Sequence, residues 1–198
     1  QSARLDAATS VQFPYGGLGE VYAVSTEGGR EKQYLTIAAE EIQFSANGKQ
    51  ILFQNKKGYE DTWRKHHTSS VTRDLVMYDT DTKKYTQLTD WKGEDRNPVW
   101  GKGDELYFLS EKSGCFNIWK GTLTNPYGTQ VTTYTKHPVR FLSYSPVTST
   151  LCYGYDGEIY TYANGTSVKV PIQIHEDDSQ NATRFMKVTN ASEFALSP

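Results

Sequence analysis

The residues of this chain best suited to chemistry lie in one polar run, from Lys57-Gly58-Tyr59 through Trp63-Arg64-Lys65-His66-His67 to Thr72-Arg73-Asp74. Its cationic and aromatic content is Trp63, Arg64, Lys65, His66, His67 and Arg73. A guanidinium holds a carboxylate through two parallel hydrogen bonds, a geometry an ammonium cannot match. An exposed loop of this composition therefore suits contact with a peptide or a protein partner. The other reading is an ordered flap, with Trp63 packed on a neighbouring structural repeat and Arg73 paired with an acidic residue. The residues alone leave both open. Adjacent side chains in an extended segment point to opposite faces, so His66 and His67 make a poor chelating pair.

Other residues capable of chemistry lack the spacing it requires. A serine nucleophile on a strained elbow needs Gly-x-Ser-x-Gly, which does not occur. His175-Glu176 is not followed by the second histidine of a metalloprotease helix. Cys115 and Cys152 have no zinc-ligand spacing and read as two free thiols. Asp79-x-Asp81 starts like a calcium loop, but Lys83 and Lys84 stand where oxygen ligands should follow, so a plain turn is expected. Glu176-Asp177-Asp178 reads as a solvated loop. The expectation is no catalysis by this chain alone, with no metal and no cofactor.

The elements that must position the polar run repeat along the chain. Ile42-Gln43-Phe44 alternates apolar and polar, as a half-buried strand does. Asn47-Gly48 is a hairpin signal, since both residues tolerate positive φ. Ile51-Leu52-Phe53, Leu75 to Tyr78 and Tyr85 to Leu88 complete an antiparallel meander of four strands. Phe44-Ser45-Ala46-Asn47-Gly48-Lys49 has partners at Trp100-Gly101-Lys102-Gly103-Asp104, Tyr144-Ser145-Pro146 and Leu196-Ser197-Pro198, spaced by about 44–56 residues. A third strand recurs at Glu20–Val24, Asp74–Tyr78, Asn117–Lys120 and Glu158–Tyr162. The fourth strand tends to close on a Thr pair, Leu35-Thr36, Leu88-Thr89 and Val131-Thr132. Four strands in roughly 40–45 residues is the period of a β-propeller blade.

The fold expected is all-β, a β-propeller segment of four-stranded antiparallel blades, with three full blades and partial blades at both ends. Residues 1–37 are the first partial blade. Residues 40–89 form a full blade carrying the 58–74 insertion, 97–135 and 138–174 form two more, and 185–198 open the next. Such a chain is expected to be an internal piece of a longer propeller. The rival is a compact ring in which Phe194-Ala195-Leu196 pairs with the N-terminal strands. Unpaired blade edges would favour homo-oligomers. Trp100 and Trp119 are expected in the blade core.

Composition excludes several classes. With 21 Lys and Arg against 23 Asp and Glu there is no basic surplus to hold nucleic acid. No apolar run approaches the roughly 20 residues that span a bilayer as a helix. Asn164, Asn181 and Asn190 head Asn-x-Ser/Thr triplets, which are common by chance.

The run Trp63–Asp74, together with Phe44-Ser45-Ala46-Asn47-Gly48-Lys49, Gly19-Glu20-Val21-Tyr22-Ala23-Val24, Asn117-Ile118-Trp119 and Ser2-Ala3-Arg4, resembles the N-terminal propeller of bacterial tricorn-protease homologues, S41 serine peptidases whose blades are similar to those of TolB. Ala46 departs from the proline usual in the blade signature, and Ser145-Pro146-Val147-Thr148-Ser149 lacks its Asp-Gly-Lys turn. The resemblance implies a propeller that guides or filters peptides, or docks the PDZ-like and catalytic domains of the same protein, in an exported, periplasmic parent. The alternative is a stand-alone interaction propeller of TolB type.

Overall fold

The structure is a computed structural model that describes residues 19–58, 63, 66 and 68–174. Among these residues there is no helix. Strands β1 (Val21–Ala23) and β2 (Lys32–Leu35) pair as a short antiparallel ribbon. Three four-stranded antiparallel sheets follow in chain order. The first holds β3 (Ala39–Phe44), β4 (Gln50–Asn55), β5 (Leu75–Asp79) and β6 (Lys84–Gln87). The second holds β7 (Asp95–Trp100), β8 (Glu105–Ser110), β9 (Asn117–Thr122) and β10 (Thr129–Gln130). The third holds β11 (Arg140–Ser145), β12 (Thr150–Tyr155), β13 (Glu158–Ala163) and β14 (Thr166–Lys169). Each sheet is a simple meander, the architecture of a propeller blade. The strand over 185–188, the opening blade at 194–198 and the loop at 175–178 lie outside the described residues, as do Asn181 and Asn190.

The hydrophobic core lies between the sheets. Val21 and Leu35 of the first ribbon meet Ala39, Ile51, Phe53, Val76 and Tyr78. Leu52 and Leu75 meet Leu106 and Phe108 of the next blade. Val99, Leu109, Phe116 and Ile118 meet Val139, Leu142, Leu151 and Tyr153. Strands β4 and β8 are buried on both faces, which is why Ile51-Leu52-Phe53 is apolar throughout rather than alternating. Strand β7 lies against β3 and β4, and β11 against β7 and β8, so the first strand of each blade forms the inner seam.

The recurring Thr pairs have a hydrogen-bonding role. Thr89 Oγ1 accepts the Leu75 N–H at 2.9 Å, and Thr132 Oγ1 accepts the Ile118 N–H at 2.9 Å. Each threonine thus satisfies a buried donor at the start of the third strand, where the short fourth strand has ended.

Three expectations change in detail. At Asn47-Gly48 only Gly48 has positive φ, at 69°. Asn47 works instead through its side chain, accepting the Lys49 N–H at 2.9 Å and the Ser45 hydroxyl at 2.8 Å. Phe44 is 55% exposed, because a bulge between Glu40 and Gln43 interrupts the two-residue period of β3. Trp100 and Trp119 are half-buried rather than core. Trp100 packs at the seam of the first two full blades and donates Nε1–H to the Gln43 carbonyl at 3.1 Å. Trp100→Ala is therefore expected to cost about 2–3 kcal/mol in urea unfolding, below the full cost of a buried Trp. A loss under about 0.5 kcal/mol would show that the ring does not join the two blades.

Candidate functional site: the cleft at the inner seam

Strands β3, β7 and β11 each carry a bulge, between Glu40 and Gln43, Arg96 and Val99, and Arg140 and Ser143. Inside each bulge one non-glycine residue is left-handed: Glu41 at φ 53°, Asn97 at φ 51° and Phe141 at φ 57°. The three occupy the same place in the repeat, four residues before Ser45, Gly101 and Ser145. A bulge re-aims side chains, and here it turns one residue per blade toward a common hollow. That hollow, of about 240 Å³, is lined by Glu41, Asn97 and Phe141 together with Trp63, Arg96 and Arg140. It adjoins an open cleft of about 600 Å³ that shares Trp63, Arg140 and Phe141 and extends to Tyr155 and Ile159.

Asn97 uses its conformation to stitch blades. Its N–H donates to Gln54 Oε1 at 2.7 Å, its Nδ2 donates to the Leu142 carbonyl at 3.2 Å, and its Oδ1 accepts the Leu142 N–H at 2.8 Å. One side chain thus ties the second blade to the third, while Gln54 ties the first to the second.

From the insertion between β4 and β5, Trp63 lines this cleft. The Trp63 ring, 64% exposed, lies over the Arg140 guanidinium at 4.6 Å, a cation–π contact that joins the first full blade to the third. The His66 N–H donates to Glu111 Oε1 of the second blade at 3.0 Å, while Glu111 Oε2 is buried without a hydrogen-bond partner. Arg64, Lys65 and His67 lie outside the described residues.

Arg73 sits elsewhere. It is 3% exposed. Its Nε donates to Glu40 Oε2 at 2.9 Å and its Nη1 lies 3.5 Å from Glu94 Oε1. Glu94 Oε2 takes a 2.6 Å bond from Arg96 Nε, and Lys56 Nζ reaches Glu40 Oε1 at 3.1 Å. Burial works to raise the Glu40 carboxyl, but Arg73, Lys56 and Gln54 outweigh it and hold it below the usual range. Of the six residues singled out by composition, Trp63 is placed at the cleft and Arg73 in the seam between blades.

The remaining chemistry-bearing residues have structural surroundings. Asp79 Oδ1 accepts the Asp81 and Thr82 N–H groups at 3.1 and 2.7 Å, closing a turn; these bonds, Thr82's first, hold its carboxyl low. Cys115 and Cys152 are free thiols, and Cys115 Sγ donates to the His137 carbonyl at 3.1 Å. Among the described residues no group of His, Cys, Asp or Glu could hold a metal ion, and no helix is long and apolar enough to cross a membrane.

Composition did not point to Arg140, Phe141 or the bulges. The only signal was the column formed by Glu41, Asn97 and Phe141 when the blades are aligned on Ser45, Gly101 and Ser145. Their types share nothing, and only Asn97 is a residue that readily takes the left-handed region.

Four-stranded meander sheets repeated in chain order and packed face to face are the architecture of a β-propeller. The match to known proteins narrows this class: the tricorn protease N-terminal β-propeller domain family matches residues 6–168, and the chain belongs to that family. No curated protein sequence matches. Among solved structures, the tricorn protease superposes with a TM-score of 0.66 at 18% identity, over 85% of this chain and 16% of that one. A nidogen/laminin complex gives 0.54 at 15% identity, over 72% of this chain and 52% of that one. TolB from Acinetobacter baumannii gives 0.50 at 15% identity, over 76% and 39%. At these identities the likeness is one of fold. The chain spans a small part of the tricorn protease and well under half of TolB.

Proposed function

We propose that this chain is the non-catalytic propeller of a tricorn-like serine peptidase, exported to the periplasm, and that its inner-seam cleft holds peptides on their way to the catalytic domains. The observation that carries this reading is Trp63 stacked on Arg140 at the mouth of an open cleft of about 600 Å³, within the range of ligand sites. Arg140 supplies a cation for a carboxylate or a main-chain carbonyl. Family membership and the tricorn protease superposition support the peptidase parent. Titration of the chain with a fluorescein-labelled hexapeptide, Ala-Ala-Ala-Phe-Ala-Ala, followed by anisotropy, tests it. Saturable binding is expected, weakened roughly tenfold by Arg140→Ala, the size of one charge-assisted contact. Binding that does not saturate would overturn the peptide reading.

A second reading is favoured by a different surface. Val24, Tyr34, Ile37 and Phe44 are exposed around the first ribbon and β3, with Tyr34 and Phe44 rings 6.2 Å apart. Such a patch suits docking of another domain, or of a separate partner if the propeller stands alone as TolB-like modules do. An antibody against the chain separates these two cases. A native band several times 22.4 kDa supports the multidomain peptidase, and a band near that mass supports the stand-alone module.

A further inference from the structure

We infer that Phe141 is a ligand-contact residue, and that the cleft selects peptides carrying a bulky apolar side chain, seated between Phe141 and Trp63. The inference rests on the peptide reading above and adds a residue and a specificity to it.

Phe141 is held where a phenylalanine gains least. Its φ of 57° places a bulky side chain in the left-handed region, a true outlier for such a residue. Its ring is 72% exposed, so little apolar burial offsets the strain. The equivalent Asn97 puts the same conformation to structural use, bridging to both main-chain groups of Leu142.

The fold also makes room for the ring. Arg140, the neighbour of Phe141, pairs with Gly154 on β12. The corresponding partners in the preceding blades are Gln54 and Leu109. A Cβ built on Gly154 would stand 3.3 Å from Phe141 Cδ2, tighter than ordinary contact. Among the described blades the third alone has a glycine here, which leaves space beside the β12 backbone for the ring edge. A strained backbone under an exposed ring that faces a cleft is the outlier from which a binding role for Phe141 is argued.

The chemistry of the walls names the occupant. Trp63, Phe141 and Ile159 present exposed apolar surface to one open cleft, with the Arg140 cation at its edge. Aromatic rings bind a third ring or a branched aliphatic chain through offset or edge-on contacts. A methyl group offers such walls far less apolar area to bury.

Calorimetric titration of the full chain with Ala-Ala-Ala-Phe-Ala-Ala and with hexa-alanine tests this. The wild type is expected to bind the Phe peptide at least tenfold more tightly. Phe141→Gly is expected to reduce that preference to threefold or less. The same substitution should raise the melting temperature by about 2–4 °C, since glycine accepts the left-handed region without strain. Gly154→Ala, which pushes the ring from its seat, should lower the preference without that gain. An unchanged preference in Phe141→Gly overturns the inference while leaving peptide binding in place. A lowered melting temperature overturns the strain argument and makes Phe141 a packing residue. If the wild type binds neither peptide, the peptide reading fails and the inference with it.

Discussion

Replacing Arg73 with alanine is expected to lower the free energy of unfolding by about 3–5 kcal/mol, the cost of stranding buried charge. Arg73 is 3% exposed and lies between Glu40 and Glu94, which is itself 1% exposed. Among the described residues, removal leaves Glu94 paired with Arg96, and Glu40 with Lys56 and Gln54. Arg73 also joins blades. Glu40 belongs to β3, Glu94 precedes β7, and the Arg73 carbonyl accepts the Asp95 N–H at 3.0 Å. Arg73→Lys should recover only part of the loss, because one ammonium cannot span both carboxylates with the fork geometry of a guanidinium. Urea denaturation with an unchanged slope would report the difference. A loss below about 1 kcal/mol would contradict the buried network and reopen a ligand role for Arg73.

The second large effect is a pH dependence centred on Asp95. This side chain is 0% exposed and accepts hydrogen bonds from Trp91 Nε1, at 3.0 Å, and from the Tyr127 hydroxyl. Burial pushes its carboxyl up to about 6, against the pull of Ser110, Tyr127, Thr89 and Trp91. Burial, with the Asp95 charge next, raises the Tyr127 hydroxyl in turn, so Tyr127 remains the donor. The folded value lies above the unfolded value of 3.8, so the folded state binds the proton more tightly. Stability from this group is therefore complete below pH 3.8 and is lost as pH rises through about 6. The loss amounts to about 3 kcal/mol over that window, at 1.36 kcal/mol per unit. Glu40 and Asp79, held low, act in the opposite direction as pH falls, so the wild-type curve alone is a sum. The difference between Asp95→Asn and wild type isolates the term. It should shift in favour of the variant by about 2.5 kcal/mol between pH 4 and pH 7. A difference that stays flat would show that Asp95 is not ionised against a burial penalty.

Much of the fold was legible because its signals are local. The apolar run Ile51–Phe53 and the Asx turn at Asp79 are each decided within a few residues by strand burial and turn chemistry. The Leu-Thr and Val-Thr repeats were visible as spelling before their bond to the third-strand N–H gave them a role. Where local rules met packing from a neighbouring sheet, they failed. Phe44 kept the right spacing but lost its burial to the bulge at Glu40–Gln43, and Trp100 kept its place in the repeat but sits half-covered at a seam.

The site was legible only in part. Trp63 stood out by type, as did Arg73, yet one lies on the cleft and the other in the seam between blades. Both are compatible with the same polar run, and the choice depends on which carboxylates the packed sheets bring near. What the sequence by itself determined is the order of strands, the repeat and the propeller class, because those follow from short-range alternation and turn residues. The tertiary structure decided the rest: the left-handed bulges at Glu41, Asn97 and Phe141, the stack of Trp63 on Arg140, and the burial of Arg73 between Glu40 and Glu94. Each joins residues far apart in the chain, and its energy exists only once separate blades have been pressed together.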